Sequence, residues 1–152
     1  MVKGLNQTEL TVLIVEDDDG HADLIIDNLL ETGIKNKIIR FKNGLEAWDF
    51  FNGRNPEYSF STEDSYLLLL DIKMPKMSGI ELLKRIKENE VFKTIPVIML
   101  TTTDDDREIK ECYRLGCNSY ITKPIDFQQF SETLKRIGLF ILIIKVSNVD
   151  II

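Results

Sequence analysis

Residues 67–71 read Leu-Leu-Leu-Leu-Asp, and residues 72–75 continue with Ile-Lys-Met-Pro. Four consecutive leucines predict a strand that is buried on both faces, as the strands of parallel sheets are. The charged Asp71 ends this run, and ligands of open α/β sheets bind at the carboxyl ends of the strands. We therefore expect Asp71 to be the reactive group and the rest of the chain to present it in a cleft.

The composition favours one globular domain. The chain has 152 residues, of which 43% are apolar and 29% are charged, values typical of a soluble domain with a full core. Its net charge of −6 gives it no basic surface of the kind that nucleic-acid binding needs. Cys112 and Cys117 form no disulfide framework, and we expect both thiols to be reduced and buried.

Neither a targeting segment nor a membrane span is predicted. Residues 1–9 lack the apolar stretch of a signal peptide, and we expect them to be a disordered lead. The apolar run near 139–146 is far shorter than the roughly 18 residues of a membrane span. The protein is therefore expected to be cytoplasmic and to make no contact with a membrane.

Apolar, β-branched runs alternate along the chain with apolar residues at helical spacing. Five strands alternating with five helices predict an α/β fold, with a parallel sheet covered on both faces. Right-handed crossovers restrict its topology to very few options. The predicted strands are 11–16, 37–41, 66–71, 95–101 and 118–122, and the predicted helices begin near 20, 44, 78, 104 and 126.

Local signals add detail to this pattern. Helical spacing predicts that Leu30, Leu45 and Tyr113 are among the side chains that face the core. Ser78 and Glu81 have the spacing of a capping box, which predicts the start of the third helix. Residues 53–65 are rich in glycine, asparagine, proline, serine and acids, a composition that predicts a surface loop.

Five polar residues follow the ends of predicted strands: Glu16, Asp17, Asp71, Thr101 and Lys123. Because parallel strands end at the same edge of a sheet, we expect these side chains to meet in one cleft. Three carboxylates there would repel each other, and Mg²⁺, which prefers oxygen ligands, would relieve that repulsion. The set predicts phosphoryl transfer to Asp71, with Lys123 and Thr101 orienting the phosphoryl oxygens.

Each of these residues also has an ordinary structural explanation. An aspartate after a strand is often a turn former, and Glu16 and Asp17 suit the start of a helix through its dipole. Thr101 can simply end a β-rich run, and Lys123 before Pro124 can be a loop residue. The joint pattern favours function, because every member lies at a strand end on one predicted edge.

These segments resemble the receiver domain of two-component response regulators, over about residues 10–137. The motifs are highly specific as a set. The resemblance implies a flavodoxin-like (βα)5 fold with strand order 2-1-3-4-5, for which one receiver is a known example. The matching segments are Val15-Glu16-Asp17-Asp18, Leu70-Asp71-Ile72-Lys73-Met74-Pro75 with Gly79, Thr101 after Val97-Ile98-Met99-Leu100, and Tyr120-Ile121-Thr122-Lys123-Pro124.

The resemblance implies a phosphorylation site and its metal ligands. Asp71 would accept a phosphoryl group from a sensor histidine kinase or a phosphotransfer protein. Glu16, Asp17, Asp71 and the backbone carbonyl of Lys73 would bind Mg²⁺. The domain would promote its own phosphorylation and dephosphorylation without being an enzyme in the usual sense.

The resemblance also implies a conformational switch. Thr101 and Tyr120 would form the switch pair, in which the hydroxyl moves toward the phosphoryl group and the aromatic ring turns inward behind it. Lys123 would pair with the phosphate, and its bond to Pro124 is expected to be cis, a form that is rare outside X–Pro bonds.

Several residues are particular to this chain. Glu16 replaces the first of two aspartates common in the family, a change that a magnesium site rich in waters and carbonyls should tolerate. The resemblance places Lys73 and Thr103 at positions that, in the family, tune phosphoryl lifetime, so Lys73→Ala is expected to alter the decay rate of the phosphoprotein. His21, the only histidine, is interpreted as a surface helix residue, with pH sensing as the alternative.

The fifth helix carries more apolar residues than one face can use. A helix that is apolar all round needs cover on every side, so we expect a two-fold homodimer through helix 5, or else a tail folded back over the domain. Residues 10–137 would be the receiver domain and 138–152 its apolar extension. The inner stripe is Phe127, Phe130, Leu134, Ile137, Ile141 and Ile144, and the additional apolar residues are Leu139, Phe140, Leu142 and Ile143.

The expected protein is a stand-alone receiver that signals by contact with a downstream protein target or by relaying phosphate. Its apolar end is more similar to the partners of phytochrome-type kinases than to those of the chemotaxis machinery. A haloacid-dehalogenase-type phosphatase would need an aspartate where Lys73 stands, and a flavin-binding protein would need a glycine-rich loop after strand 1. A phosphate-independent pseudo-receiver is the main alternative.

Overall fold

The computed structural model describes residues 10–102, 105–123 and 127–147. Five strands alternate with five helices in this part of the chain. The strands are β1 (Thr11–Val15), β2 (Ile38–Phe41), β3 (Tyr66–Asp71), β4 (Val97–Thr101) and β5 (Ser119–Thr122). The helices are α1 (Asp19–Glu31), α2 (Gly44–Phe51), α3 (Gly79–Glu88), α4 (Asp106–Leu115) and α5 (Phe127–Ser147).

The strands form one parallel sheet in the order β2-β1-β3-β4-β5. The predicted fold and strand order are confirmed. β3 lies at the centre, with Leu70 beside Val15 of β1 and Asp71 beside Leu100 of β4. The carboxyl ends of these three strands therefore meet around Asp71.

The four leucines of β3 contribute to two hydrophobic cores, one on each face of the sheet. Leu67 and Leu69 pack with residues of α1 and α5, whereas Leu68 and Leu70 pack with residues of α2, α3 and α4. All four are at most 1% exposed. Burial of each leucine side chain stabilises the folded protein by about 1.5–3 kcal/mol. β3 is therefore held by packing on both faces up to Leu70, the residue before Asp71.

Three side chains that were predicted to face the core lie at the surface instead. Leu30, Leu45 and Tyr113 are 50%, 43% and 50% exposed. Leu30 and Tyr113 each follow a fully buried residue by one position, a rotation of about 100° around the helix. Leu45 precedes the buried Ala47 by two positions, or about 200°. The helices thus bury narrower stripes than their sequences suggest.

Capping chemistry sets the ends of the helices. The side chain of Ser78 accepts a hydrogen bond from the Glu81 amide at 3.3 Å, so the predicted cap of α3 is confirmed. α4 ends at Gly116 with φ of 107°, a left-handed conformation that favours glycine. Cys112 and Cys117 are buried and not disulfide-bonded, as expected.

The predicted surface loop at 53–65 packs two aromatic side chains, Tyr58 and Phe60, against the core. The ring of Phe60 stacks on Tyr66 with centroids 5.1 Å apart, and it also contacts Phe50 and Phe92 edge-on. Such pairs contribute about 0.5–1.5 kcal/mol each beyond the area they bury. They hold the loop at the amino end of β3, away from Asp71.

α5 buries one stripe and exposes part of its remaining apolar surface. Leu139 and Phe140 are 54% and 51% exposed. The predicted boundary between 137 and 138 lies within this helix. No helix in the described ranges combines the length and apolarity that crossing a membrane requires. The buried members of the predicted stripe are Phe130, Leu134, Ile137 and Ile141, while the side chains of Phe127, Ile143 and Ile144 lie outside the described residues, as do 1–9 and 148–152.

α5 approaches the end of α1 closely at Gly138. A Cβ atom on Gly138 would lie 2.4 Å from Thr32 Oγ1 and 2.7 Å from Thr32 Cγ2. The Thr32 hydroxyl donates to the Leu29 carbonyl at 2.6 Å, which fixes its position. This contact leaves room for glycine alone, since protein interiors have little free volume.

Candidate phosphorylation and metal site

Arg40 on β2 holds the loop between β1 and α1. Its Nε and Nη2 both donate to the backbone carbonyl of Glu16, at 2.9 and 2.7 Å, and its Nη1 donates to Asp19 at 2.8 Å. The Asp18 side chain caps α1 by accepting from the His21 amide at 2.8 Å. The loop is therefore fixed both at the strand that precedes it and at the helix that follows it.

The loop between β3 and α3 positions Asp71. The Ile72 amide donates to Asp71 Oδ1 at 2.9 Å, and the Gly79 amide donates to the Ile72 carbonyl at 2.8 Å. A Cβ atom on Gly79 would lie 2.0 Å from the Asp71 carbonyl oxygen. Only glycine lets the first turn of α3 come so close to Asp71.

The structure brings three carboxylates and one ammonium group together at this edge. Oxygen atoms of Glu16, Asp17 and Asp71 lie within 4.8 Å of one another. Lys123 Nζ forms an ion pair with Glu16 Oε1 and lies 3.7 Å from Asp71 Oδ1. The side chains of Lys123 and Glu16 are only 4% and 2% exposed, whereas Asp17 is exposed.

Burial governs the electrostatics of Asp71. It raises the pKa of this carboxyl group to about 7, the charge of Lys123 opposes the rise, and the neighbouring carboxylate of Glu16 adds to it. One positive charge thus does not offset the cost of two buried carboxylates. The site is short of positive charge.

The two residues predicted as a switch lie on adjacent strands, β4 and β5. Thr101 is 1% exposed, and its backbone carbonyl accepts from the Lys123 amide at 2.6 Å. Tyr120 is half-buried and packs against the core formed with α2, α3 and α4. The backbone therefore links Thr101 directly to Lys123.

Other predicted positions are at the edge of the site or outside the described residues. Lys73 has an exposed side chain two residues after Asp71. Thr103 and Pro124 are outside the described ranges. The tuning role of Thr103 and the cis form of the bond before Pro124 therefore stay predictions.

Two side chains contact the site in a way that the sequence reasoning did not predict. His21 was interpreted as a surface helix residue, yet its Nδ1 lies 3.3 Å from Lys123 Nζ. Its place in the first turn of the helix after the acidic loop was a signal for this contact. Arg40 gave no such signal, because its role depends on the pairing of β2 with β1.

The donor set fits a divalent cation with a preference for oxygen ligands. Glu16, Asp17 and Asp71 supply three carboxylates within the span of one ion, and the raised pKa of Asp71 shows that the site favours added positive charge. Mg²⁺ binds in such sites through carboxylates while it keeps several waters.

Comparisons with known proteins agree with this geometry. Residues 12–135 match the family model of the response regulator receiver domain. The polar-differentiation response regulator DivK of Brucella anthropi is 34% identical over 125 residues, which cover 82% of this chain and 93% of DivK.

Two solved structures share the fold. The phosphorylated cyanobacterial phytochrome response regulator RcpA has a TM-score of 0.79 at 30% identity, covering 89% of this chain and 95% of RcpA. The Mn²⁺-bound form of the response regulator Rcp1 has a TM-score of 0.76 at 31% identity, covering 86% of this chain and 92% of Rcp1. Since the family model spans most of the chain and the strand order is that of receivers, this chain belongs to the response regulator receiver domain family.

Proposed function

We propose that this receiver domain accepts a phosphoryl group on Asp71 from a phosphohistidine of a sensor histidine kinase or phosphotransfer protein. The observation that carries the proposal is the cluster of three carboxylates within 4.8 Å of one another beside Lys123. A carboxylate oxygen of Asp71 would attack the phosphorus, the P–N bond would break, and the leaving imidazole would take up a proton.

The surrounding residues have complementary tasks in this reaction. Glu16, Asp17 and Asp71, with the backbone carbonyl of Lys73, would hold Mg²⁺, which when bound supplies positive charge to the phosphoryl oxygens. Lys123 would donate a charge-assisted hydrogen bond to one of those oxygens. The Mn²⁺-bound state of Rcp1 supports a divalent cation in this family.

The switch would act through Thr101 and Tyr120. The Thr101 hydroxyl would donate to the phosphoryl group, and Tyr120, which is half-buried, would turn further into the space behind it. Because Tyr120 lies on the edge strand β5, its movement would change the surface formed by β5 and the neighbouring helices. A protein partner would read that change.

The same surface supports self-association. Leu139 and Phe140 are exposed on α5, and a groove of about 430 Å³ adjoins Phe140. Exposed apolar patches of this kind mark interaction sites, so we propose a homodimer through α5. The likeness to the phytochrome response regulator RcpA supports a phytochrome-type kinase as the phosphodonor. The groove is lined by Ile98, Ser119, Ile121, Thr133, Arg136, Ile137 and Phe140.

Phosphorylation of Asp71 is tested by incubating the protein with Mg²⁺ and a small phosphodonor. We expect a gain in mass of one phosphoryl group that is lost in alkali, as acyl phosphates are. Asp71→Asn should abolish the gain, whereas Asp23→Asn, which changes an exposed acid on α1, should keep it. Omission of Mg²⁺ should also prevent labelling.

A phosphate-independent pseudo-receiver is the competing function. It would show no mass gain in the wild type under any of these conditions. Labelling of Asp71→Asn at the wild-type rate would instead place the phosphoryl group on another residue and reject the assignment of Asp71.

A further inference from the structure

His21 is held at the site through both its backbone and its ring. Its amide donates to the side chain of Asp18 at 2.8 Å, which places the residue in the first turn of α1. Its ring Nδ1 lies 3.3 Å from Lys123 Nζ, in a partly buried position. The only histidine of the chain therefore contacts the lysine of the proposed phosphorylation site.

The chemistry of the two groups fixes the direction of this hydrogen bond. An ammonium group has three N–H donors and no acceptor, so Nδ1 of His21 accepts and the ring proton resides on Nε2. A second N–H of Lys123 is directed at Glu16 Oε1. One donor of the ammonium group is left over, and Asp71 Oδ1 lies 3.7 Å away.

Two acceptors restrict an ammonium group far more than one does. With Glu16 as its only partner, the flexible Lys123 side chain could shift its Nζ atom together with the Glu16 carboxylate. With His21 as a second acceptor, Nζ is held between two partners, and its third N–H remains for an acceptor on the side of Asp71, whose Oδ1 lies 3.7 Å away. This ordering precedes the reaction, so its entropy is not lost when the phosphoryl group arrives.

We propose that His21 is a positioning residue that orients the Lys123 ammonium group toward Asp71. The proposal deepens the proposed function and rests on it for its effect on phosphorylation. His21 itself touches neither Asp71 nor the phosphoryl group in this scheme.

Two variants separate the ring acceptor from the rest of the residue. Both keep the backbone amide that Asp18 caps, so helix α1 retains its start. His21→Leu removes the acceptor but keeps a side chain of similar bulk, and His21→Asn places an amide oxygen near the position of Nδ1. Asp23→Asn on the exposed side of the same helix serves as the matched control.

The first measurement is the rate of phosphorylation by acetyl phosphate at saturating Mg²⁺. We expect His21→Leu to be roughly tenfold slower, the factor that corresponds to one hydrogen bond of a charged group, and His21→Asn to recover most of the rate. The dissociation constant for Mg²⁺ without a phosphodonor should be the same in all variants. Equal rates for wild type and His21→Leu, or equal losses for both variants, would overturn the proposal.

The second measurement is the ¹⁵N NMR signal of the Lys123 ammonium group in the unphosphorylated protein. We expect a distinct signal in the wild type and in His21→Asn that exchange with water broadens in His21→Leu. An unchanged signal in His21→Leu would contradict the positioning role. This measurement needs no phosphodonor, so it decides the role of His21 even where failure of wild-type labelling rejects the proposed function.

Discussion

Asp71 and Lys123 show how burial and charge compete at the scale of single residues. The pKa of Asp71 is raised to about 7 even though a lysine lies 3.7 Å away. The ammonium group of Lys123 is paired first with Glu16, so it serves two carboxylates at once. A divalent cation would supply the missing charge, which couples metal binding to the release of a proton from Asp71.

This raised pKa predicts how the stability of the metal-free protein depends on pH. Between about pH 4 and 7 the folded protein binds a proton at Asp71 that the unfolded chain has released, so the free energy of unfolding falls as pH rises. From pH 5.5 to 7, Asp71 should account for a loss of roughly 1–2 kcal/mol. Urea unfolding in a chelator at several pH values measures the loss.

Asp71→Asn should remove this part of the pH dependence, because an amide does not titrate. Asp23→Asn should leave it unchanged, since Asp23 is exposed. Parallel stability curves for wild type and Asp71→Asn would refute the assignment of the raised pKa to Asp71.

Arg40 supports a second prediction at this scale. Arg40→Met removes two hydrogen bonds to the buried Glu16 carbonyl and one to Asp19. We expect a loss of about 1.5–3 kcal/mol in the free energy of unfolding, the range for hydrogen bonds of charged groups. The bond to Asp19 should contribute little, since Asp19 is 76% exposed.

Arg54→Met is the matched control for Arg40. Arg54 also pairs with an aspartate, Asp49, but its side chain is 56% exposed. Exposed ion pairs are worth about 0–1 kcal/mol, so the control should unfold nearly as the wild type does. Equal losses of unfolding free energy in Arg40→Met and Arg54→Met would show that the hydrogen bonds to the Glu16 carbonyl add no stability beyond that of an exposed ion pair.

At the scale of secondary-structure elements, the contact between α1 and α5 restricts which residue can occupy position 138. Glycine inside a helix costs about 1 kcal/mol relative to alanine, so Gly138 is a local disadvantage for α5. The Cβ of an alanine there would lie 2.4 Å from Thr32 Oγ1, well inside van der Waals contact. Tertiary packing therefore outweighs helix propensity at this position.

Gly138→Ala is accordingly expected to destabilise the protein by about 1–3 kcal/mol, as overpacking does. The double variant Gly138→Ala, Thr32→Ala should be less destabilised than the sum of its single variants, because Thr32→Ala removes the two nearest clashing atoms. Urea denaturation of all four proteins measures this coupling. A Gly138→Ala variant more stable than the wild type would show that helix propensity prevails.

The elements were largely predictable from the sequence, but their exposed faces were not. The spacing of apolar residues and the composition predicted all five strands and all five helices to within a few residues of their positions in the structure. Leu30, Leu45 and Tyr113 were misplaced, because spacing shows which residues share a helix face but not how wide the contact is. Phe60 was hidden in a polar loop, and its burial depends on aromatic partners in other elements, among them the distant Phe92.

Part of the site was predictable because the carboxyl ends of parallel strands lie at the same edge of the sheet. Glu16, Asp71, Thr101 and Lys123 were selected for that reason, and the structure places them together. Contacts that depend on side-chain reach across elements were predictable only in part, since the acidic loop before α1 was a signal for His21 whereas Arg40 gave none. His21 and Arg40 are of this kind, since each joins two segments whose separation only the fold determines.

At the scale of the whole molecule, the exposed apolar residues of α5 predict self-association. Phe140→Glu should weaken the homodimer at least about tenfold, since a charge would have to be buried in an apolar interface. Sedimentation velocity over a range of concentrations, with and without phosphorylation, measures this effect.

Leu45→Glu is the control for Phe140→Glu, because Leu45 is also an exposed apolar residue but lies on α2. It should associate as the wild type does. A wild type that stays monomeric at high concentration in both phosphorylation states would rule out the dimer.

The central position of β3 has a consequence for hydrogen exchange. Its amides are paired within the sheet, its leucines are covered on both faces, and such segments exchange only through global opening. The amides of Leu67–Leu70 should therefore be among the slowest to exchange, whereas the exposed loop around Lys73 should exchange rapidly. Asp71 would then lie at a sharp boundary between slowly and rapidly exchanging amides. A change of its charge can therefore alter the conformation of the loop without loosening the strand.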